Sequence, residues 1–132
     1  MGRVVGQAAV TYPHESTGTQ VKAPTMHLSR DLLTKLGWRV VNVEKWNAAT
    51  QQKADLFGMF DLLALRDDTT MGVQTTSKTN LASHVRKMRD ADALGDVLAA
   101  GWVVMLHGWW QPRGPGTHWE VIEVDLGTSA HR

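Results

Sequence analysis

Apolar residues along this chain change their spacing several times, and each change marks an element. Leu28, Leu32, Leu33 and Leu36 recur at helical intervals in MHLSRDLLTKLG, with Thr25 placed to cap the start and Gly37 to stop the end. WRVVNVEKW (38–46) is dense in β-formers and predicts a strand, followed by the polar loop NAATQQKA. FGMFDLLAL (57–65) and MGVQTT (71–76) predict two more strands joined by the turn RDDTT, so that 57–76 forms a hairpin. Helical spacing returns with Leu81, Val85 and Met88, and a second helical stretch over 91–100 ends at Gly101. WVVMLHGWW (102–110) has the composition of a buried strand, QPRGPGTH is a loop, and WEVIEVDL (119–126) alternates as a final strand suited to a sheet edge.

The predicted order is helix, three-strand meander, helix, strand, strand. That order implies an α/β fold with a mixed central sheet flanked by helices. Residues 1–24 show no sustained period and read as an irregular extension with a short strand near 4–10. Residues 25–126 form one domain, and 127–132 a tail.

Composition narrows the chemistry. A chain of 132 residues with 42% hydrophobic content is long enough to bury a core. It has no cysteine, which excludes disulfides, thiolate metal sites and a cysteine nucleophile. The net charge of +1 is too small to signal nucleic acid by itself, so any basic footprint is local. No apolar run reaches the ~18 residues of a membrane span, and the N-terminal residues lack a signal-peptide layout. The expected location is cytoplasmic, with no membrane partner. Trp109 and Trp110 read as core packing, and His27 and His107 as structural.

The chemistry-bearing oddity is Asp61, an acid inside an oily strand. Desolvating an unpaired carboxylate costs several kcal/mol, of order ~5, so Asp61 needs hydrogen bonds or a cation. Alternation puts Phe57, Met59, Asp61, Leu63 and Leu65 on one face of the strand, with Gln74 on the neighbouring strand able to point the same way in a suitable register. One carboxylate, one amide oxygen, a backbone carbonyl of Thr75 and the nearby Lys78 would suit a hard divalent cation beside a phosphate. The bland alternative is a structural Asp61 bonded to backbone, with Lys78, His84, Arg86 and Lys87 on a solvated helix face.

Asp61, a short hairpin and Gln74-Thr75-Thr76 together resemble the PD-(D/E)XK nuclease superfamily, and most closely its Holliday junction resolvase branch with phage and archaeal relatives. The stretches DLFGMFD (55–61) and VQTTS (73–77) carry the likeness, over roughly residues 26–110. The resemblance implies a restriction-endonuclease-like core and a magnesium-dependent (or Mn²⁺-dependent) hydrolase that cuts DNA, selective for branched structures and often a homodimer. It implies Asp61 and Gln74 as metal ligands, with Thr75 and Asp55 as further ones. Thr76 takes the motif's lysine position, Lys78 serves as a displaced lysine, and Lys78, His84, Arg86 and Lys87 contact DNA. Asp31 and Glu44 are weaker acidic candidates. Gln74 stands where the motif has an acid and Thr76 where it has lysine. These departures support the rival reading: a catalytically degenerate nuclease-fold module that binds DNA or protein.

Overall fold

The structure, a computed structural model, describes residues 3–6 and 24–127. Eight strands and three α-helices follow in the order β1 (Arg3–Gly6), α1 (Thr25–Lys35), β2 (Arg39–Asn42), β3 (Lys45–Asn47), β4 (Gln52–Ala54), β5 (Leu62–Arg66), β6 (Thr69–Ser77), α2 (Leu81–Arg89), α3 (Leu94–Ala99), β7 (Val103–Trp110) and β8 (Glu120–Gly127), with a 3₁₀ turn at Lys78–Asn80 before α2. Six strands form one mixed sheet in the order β1-β8-β7-β6-β5-β2, and β3 and β4 form a separate two-stranded ribbon. Within the sheet β2, β5 and β6 run antiparallel in succession. The crossover through α2 and α3 then brings β7 in parallel to β6. A parallel neighbour requires such a crossover, and helices are its usual filling.

The mixed α/β architecture and the succession of helix, meander, helix and strand agree with the sequence pattern. Three boundaries do not. The strand expected over 38–46 breaks at Val43 and Glu44, and the loop NAATQQKA closes a small hairpin, with Lys45 opposite Ala54, Trp46 opposite Lys53 and Asn47 opposite Gln52. The final strand is not an edge, because β1 pairs with β8 antiparallel and takes that place. The expected 1–24 extension therefore contributes sheet at Arg3–Gly6, while 7–23 and 128–132 lie outside the described residues.

The third boundary matters most for chemistry. The strand expected over 57–65 begins only at Leu62. Phe57 and Gly58 both take positive φ, 57° and 71°, and turn the chain back so that Leu56 bridges Phe60. A bulky residue in that region carries strain. Apolar density there reflects burial of a turn: Met59 and Phe60 are fully buried, and Trp102 packs its ring 5.9 Å from Phe60 and 6.0 Å from Phe57. Strand alternation therefore does not extend back to Asp61, which sits at a bend on the lip of β5.

Two apolar layers sandwich the sheet. Leu33 of α1 packs with Leu62, Ala64, Met71 and Val73 on one side. Met88 and Val97 from α2 and α3 pack with Phe60, Val104, Leu106 and Val124 on the other. Gly72 of β6 leaves room for the Phe60 ring: a Cβ there would come within 2.6 Å of it. Overpacking of this kind costs about 1–3 kcal/mol. Gly72→Ala is expected to lower the urea midpoint accordingly, and Phe60→Leu on that background to recover part of the loss. Equal stability of Gly72→Ala and the parent would contradict this packing.

A buried polar chain ties α1 to β7 and β8. Trp109 Nε1–H donates to Ser29 Oγ at 2.8 Å, and Ser29 Oγ lies 2.8 Å from His107 Nδ1. His107 Nε2 lies 3.3 Å from a Glu123 carboxylate oxygen, a polar contact without the alignment of a hydrogen bond. With the Trp109 N–H already donated to its oxygen, Ser29 donates to Nδ1, and His107 carries its proton on Nε2, facing Glu123. His107 acts structurally, in keeping with the sequence expectation. Although serine, histidine and glutamate stand in line, Ser29 and His107 are wholly enclosed, so no substrate reaches the hydroxyl.

Candidate functional site

Where the turn ahead of β5 meets the middle of β6, a cleft of about 750 Å³ opens. Asp55, Asp61, Glu44 and Gln74 line it beside Lys53, His84 and Lys87, with the first residues of α1, Thr25 and Met26, at its rim. Acids come from the segments leading into and out of the ribbon and from the lip of β5. His84 and Lys87 come from α2, three residues apart and so on one face of that helix.

Asp61 is 6% exposed, and among the described residues Thr75 bonds its carboxylate. Thr75 donates its hydroxyl to Oδ2 at 2.7 Å, and its backbone N–H lies 3.2 Å and 3.4 Å from the two carboxylate oxygens. Thr75 in turn lies 3.4 Å, Oγ1 to Oγ1, from Thr25 at the start of α1. Burial pushes the Asp61 carboxyl up to about 7, the Thr75 hydroxyl pulls it back, and the charges of Asp55 and Glu44 add to the rise. Asp61 and Gln74, expected to point the same way from neighbouring strands, have different hydrogen-bond partners. Both line the same cleft, but the bend before β5 gives Asp61 to Thr75. The Gln74 amide nitrogen donates instead to Asp55 Oδ2 at 2.9 Å and to the Met59 carbonyl. Two acceptors around one amide atom assign it as nitrogen, so Oε1 is the atom Gln74 has left for another partner.

The remaining expected site residues divide. Asp55, Thr75, His84 and Lys87 line the cleft. Thr76 is buried on β6 and is not part of its lining. Lys78, expected to face a scissile phosphate, instead holds its ammonium 3.5 Å from the centre of the Trp110 ring, a cation–π contact that draws it to the end of β7. Arg86 is exposed on α2 away from the cleft wall, and Asp31 is exposed on α1. Sequence reasoning missed Lys53. It lies in a segment that reads as loop, and only the ribbon register brings it back to the cleft, where its Nζ is 3.6 Å from Glu44. Glu44, a weaker candidate by sequence, also lines the cleft.

The hydroxyl of Thr75 has a measurable consequence. It favours the ionised form of Asp61, so its removal raises the carboxyl further. In Thr75→Val, a carboxyl-carbon NMR titration is expected to place the Asp61 midpoint higher than in the parent, by roughly one unit. A midpoint that stays or falls would show that Thr75 does not hold the charged form.

Chemically the cleft offers hard oxygen donors and a flanking set of cations. Among the described residues no three His, Asp or Glu side chains converge closely enough to enclose a metal ion by themselves. Among the same residues no helix is long and apolar enough to cross a membrane. No family model matches the chain, and the comparisons with curated proteins and with solved structures find no match either.

Proposed function

We propose that this protein is a small metal-dependent nuclease of restriction-endonuclease-like architecture, hydrolysing phosphodiester bonds in DNA. The observation that carries this reading is the convergence of Asp61, Asp55, Glu44 and Gln74 with Lys53 and Lys87 around one cleft. Its supports are the antiparallel succession β2, β5, β6, the crossover helices, and parallel β7, an order that the resemblance to PD-(D/E)XK nucleases also requires.

The donor set fits Mg²⁺ or Mn²⁺ in kind. Carboxylates and an amide oxygen are what hard divalent ions prefer, and Mg²⁺ normally keeps several waters or phosphate oxygens, so a partial protein shell suffices. The raised carboxyl of Asp61 is consistent with a site that gains from a cation, since a positive charge there offsets repulsion from Asp55 and Glu44. Asp61 and Asp55 would hold the ion, with Gln74 Oε1 and Thr75 adjoining. A bound divalent cation would polarise the phosphoryl oxygen and lower the pKa of a water. Lys53 and Lys87, which line the cleft, would hold the phosphate in place of Lys78. A water oxygen would bond to phosphorus and give up a proton, the P–O bond to the departing sugar oxygen would break, and that oxygen would take up a proton in return.

One observation favours the rival reading of a DNA-binding or protein-interaction module that has lost catalysis. The motif's lysine position is the buried Thr76, and Lys78 is engaged by Trp110. Supercoiled plasmid and branched DNA incubated with Mg²⁺ or Mn²⁺ separate the two. Nicking that requires metal and disappears in Asp61→Asn supports the nuclease. Salt-sensitive binding without any nicking supports the module. A homodimer, which the resemblance also implies, is measurable in the same preparations by light scattering.

A further inference from the structure

We propose that the β3–β4 ribbon is an arm that holds an unpaired nucleic-acid strand over the cleft, with Trp46 as the stacking surface for a base; this rests on the nuclease reading for the nature of the polymer in the cleft. The ribbon is a sheet of its own, outside the six-stranded one, and all six of its strand residues are exposed. Trp46 is 60% exposed, above Leu36, Val41, Phe57 and Leu65 among the large apolar side chains at the surface.

Register gives that exposure a direction. Trp46 stands opposite Lys53, and cross-strand partners project to the same face. Lys53 lines the cleft that holds Asp61. The ring therefore shares a ribbon face with a cation of the candidate site. Residues 45–54 contain Lys45 and Lys53 and no acid, with Asn47, Gln51 and Gln52 as further hydrogen-bonding groups. An exposed aromatic among cations and amides is the composition that stacks bases while tracking phosphates. One large apolar side chain on a polar ribbon is too little for an apolar protein-docking patch.

The ring also narrows the substrate class. A stacking surface needs a base whose face is open, and a continuous duplex hides those faces in its own stack. Trp46 therefore selects nucleic acid with an unpaired segment, whereas Lys53 and Lys87 take phosphates of either form.

Binding is measured without divalent metal, so that cleavage does not intervene, using a labelled oligothymidylate and a blunt duplex of equal length. Wild type, Trp46→Ala, Trp46→Phe and Lys53→Ala are compared. The expected result is a loss of roughly ten-fold or more in single-strand affinity for Trp46→Ala, with duplex binding unchanged and most affinity kept by Trp46→Phe. Lys53→Ala weakens both forms and flattens the salt dependence by about one ion. Trp46→Ala binding the single strand as tightly as wild type, or losing both forms equally, overturns the arm. If wild type still nicks DNA with metal in that case, the nuclease reading stands without it. Wild type that binds neither form overturns the arm, and wild type that also fails to nick DNA with metal overturns the nuclease reading as well.

Discussion

Asp61→Asn is expected to make the protein more stable at about pH 8 and to slow metal-dependent nicking by orders of magnitude. Burial lifts the Asp61 carboxyl from 3.8 to about 7, with Asp55 and Glu44 adding to the rise. The folded state therefore keeps a proton that the unfolded chain releases. Between those two values, stability falls as pH rises, and above about 7 the full cost of the buried charge is present. Asparagine removes that cost and keeps the geometry: its Oδ1 accepts the Thr75 N–H, and its Nδ2 donates to the Thr75 hydroxyl, which can accept as well as donate. The gain is on the order of 2–4 kcal/mol at about pH 8, some 7–13 °C in Tm, shrinking toward zero near about pH 4. Mg²⁺ is expected to raise the Tm of the parent by more than that of Asp61→Asn, because the variant loses one of the two carboxylates that would hold the ion. Nicking should fall by roughly 10³-fold, the scale of losing several kcal/mol of transition-state stabilisation by a metal. Thermal melts across pH, with and without Mg²⁺, check the first part. A variant no more stable than its parent at the higher pH would overturn the account of a strained carboxylate, and undiminished nicking would overturn its role in hydrolysis.

His107→Ala is expected to cost about 3 kcal/mol, near 10 °C in Tm, the largest loss in stability proposed for this molecule. The imidazole is fully enclosed, so its removal leaves a cavity. It also takes from Ser29 the acceptor for its proton and from Glu123 the partner that holds its carboxyl below the usual range despite burial. Loss of a partner inside a closed polar network costs more than the mean hydrogen bond. Glu123 supplies a second readout. Its folded pKa is depressed, so its contribution is intact above the ordinary value of 4.5 and disappears as pH falls through the lower folded one. His107→Phe keeps most of the volume, and is expected to fold with a smaller loss and without that acid-side dependence. Urea titrations near neutrality and in acid test both variants. An acid-side slope in His107→Phe equal to the parent's would show that Glu123 does not depend on the imidazole. Because Ser29 lies on α1, one turn from Thr25, the same network holds the rim of the cleft against β7.

Helical spacing in 26–36 and 81–100 was legible because a helix burying one stripe must repeat its apolar residues every three or four positions. The central strands were legible from β-branched density, and the parallel placement of β7 follows once helices intervene. Asp61 stood out for a reason equally local: an acid amid apolar neighbours needs a partner wherever it lies. The turn at Phe57 and Gly58 was not legible. Its residues are as oily as a strand's, and only the packing of Phe57 and Phe60 against Trp102 and the burial of Met59 and Phe60 show that the segment is a bend. The ribbon was hidden by its polar composition, and with it the place of Lys53. Lys78 illustrates the same limit, since its destination depends on Trp110, far away in sequence and brought near by the parallel pairing of β6 with β7, which sets Ser77 beside Trp109.

Local pattern thus determined the kinds of elements, their order and the acid that needs a partner, because spacing and desolvation act on each segment by itself. Tertiary structure decided which partner each polar group has: Thr75 for Asp61, Asp55 for Gln74, Trp110 for Lys78, and the cleft for Lys53. Those choices follow from a one-residue bend and a strand register, and in a β-structure a shift of one residue sends a side chain to the opposite face.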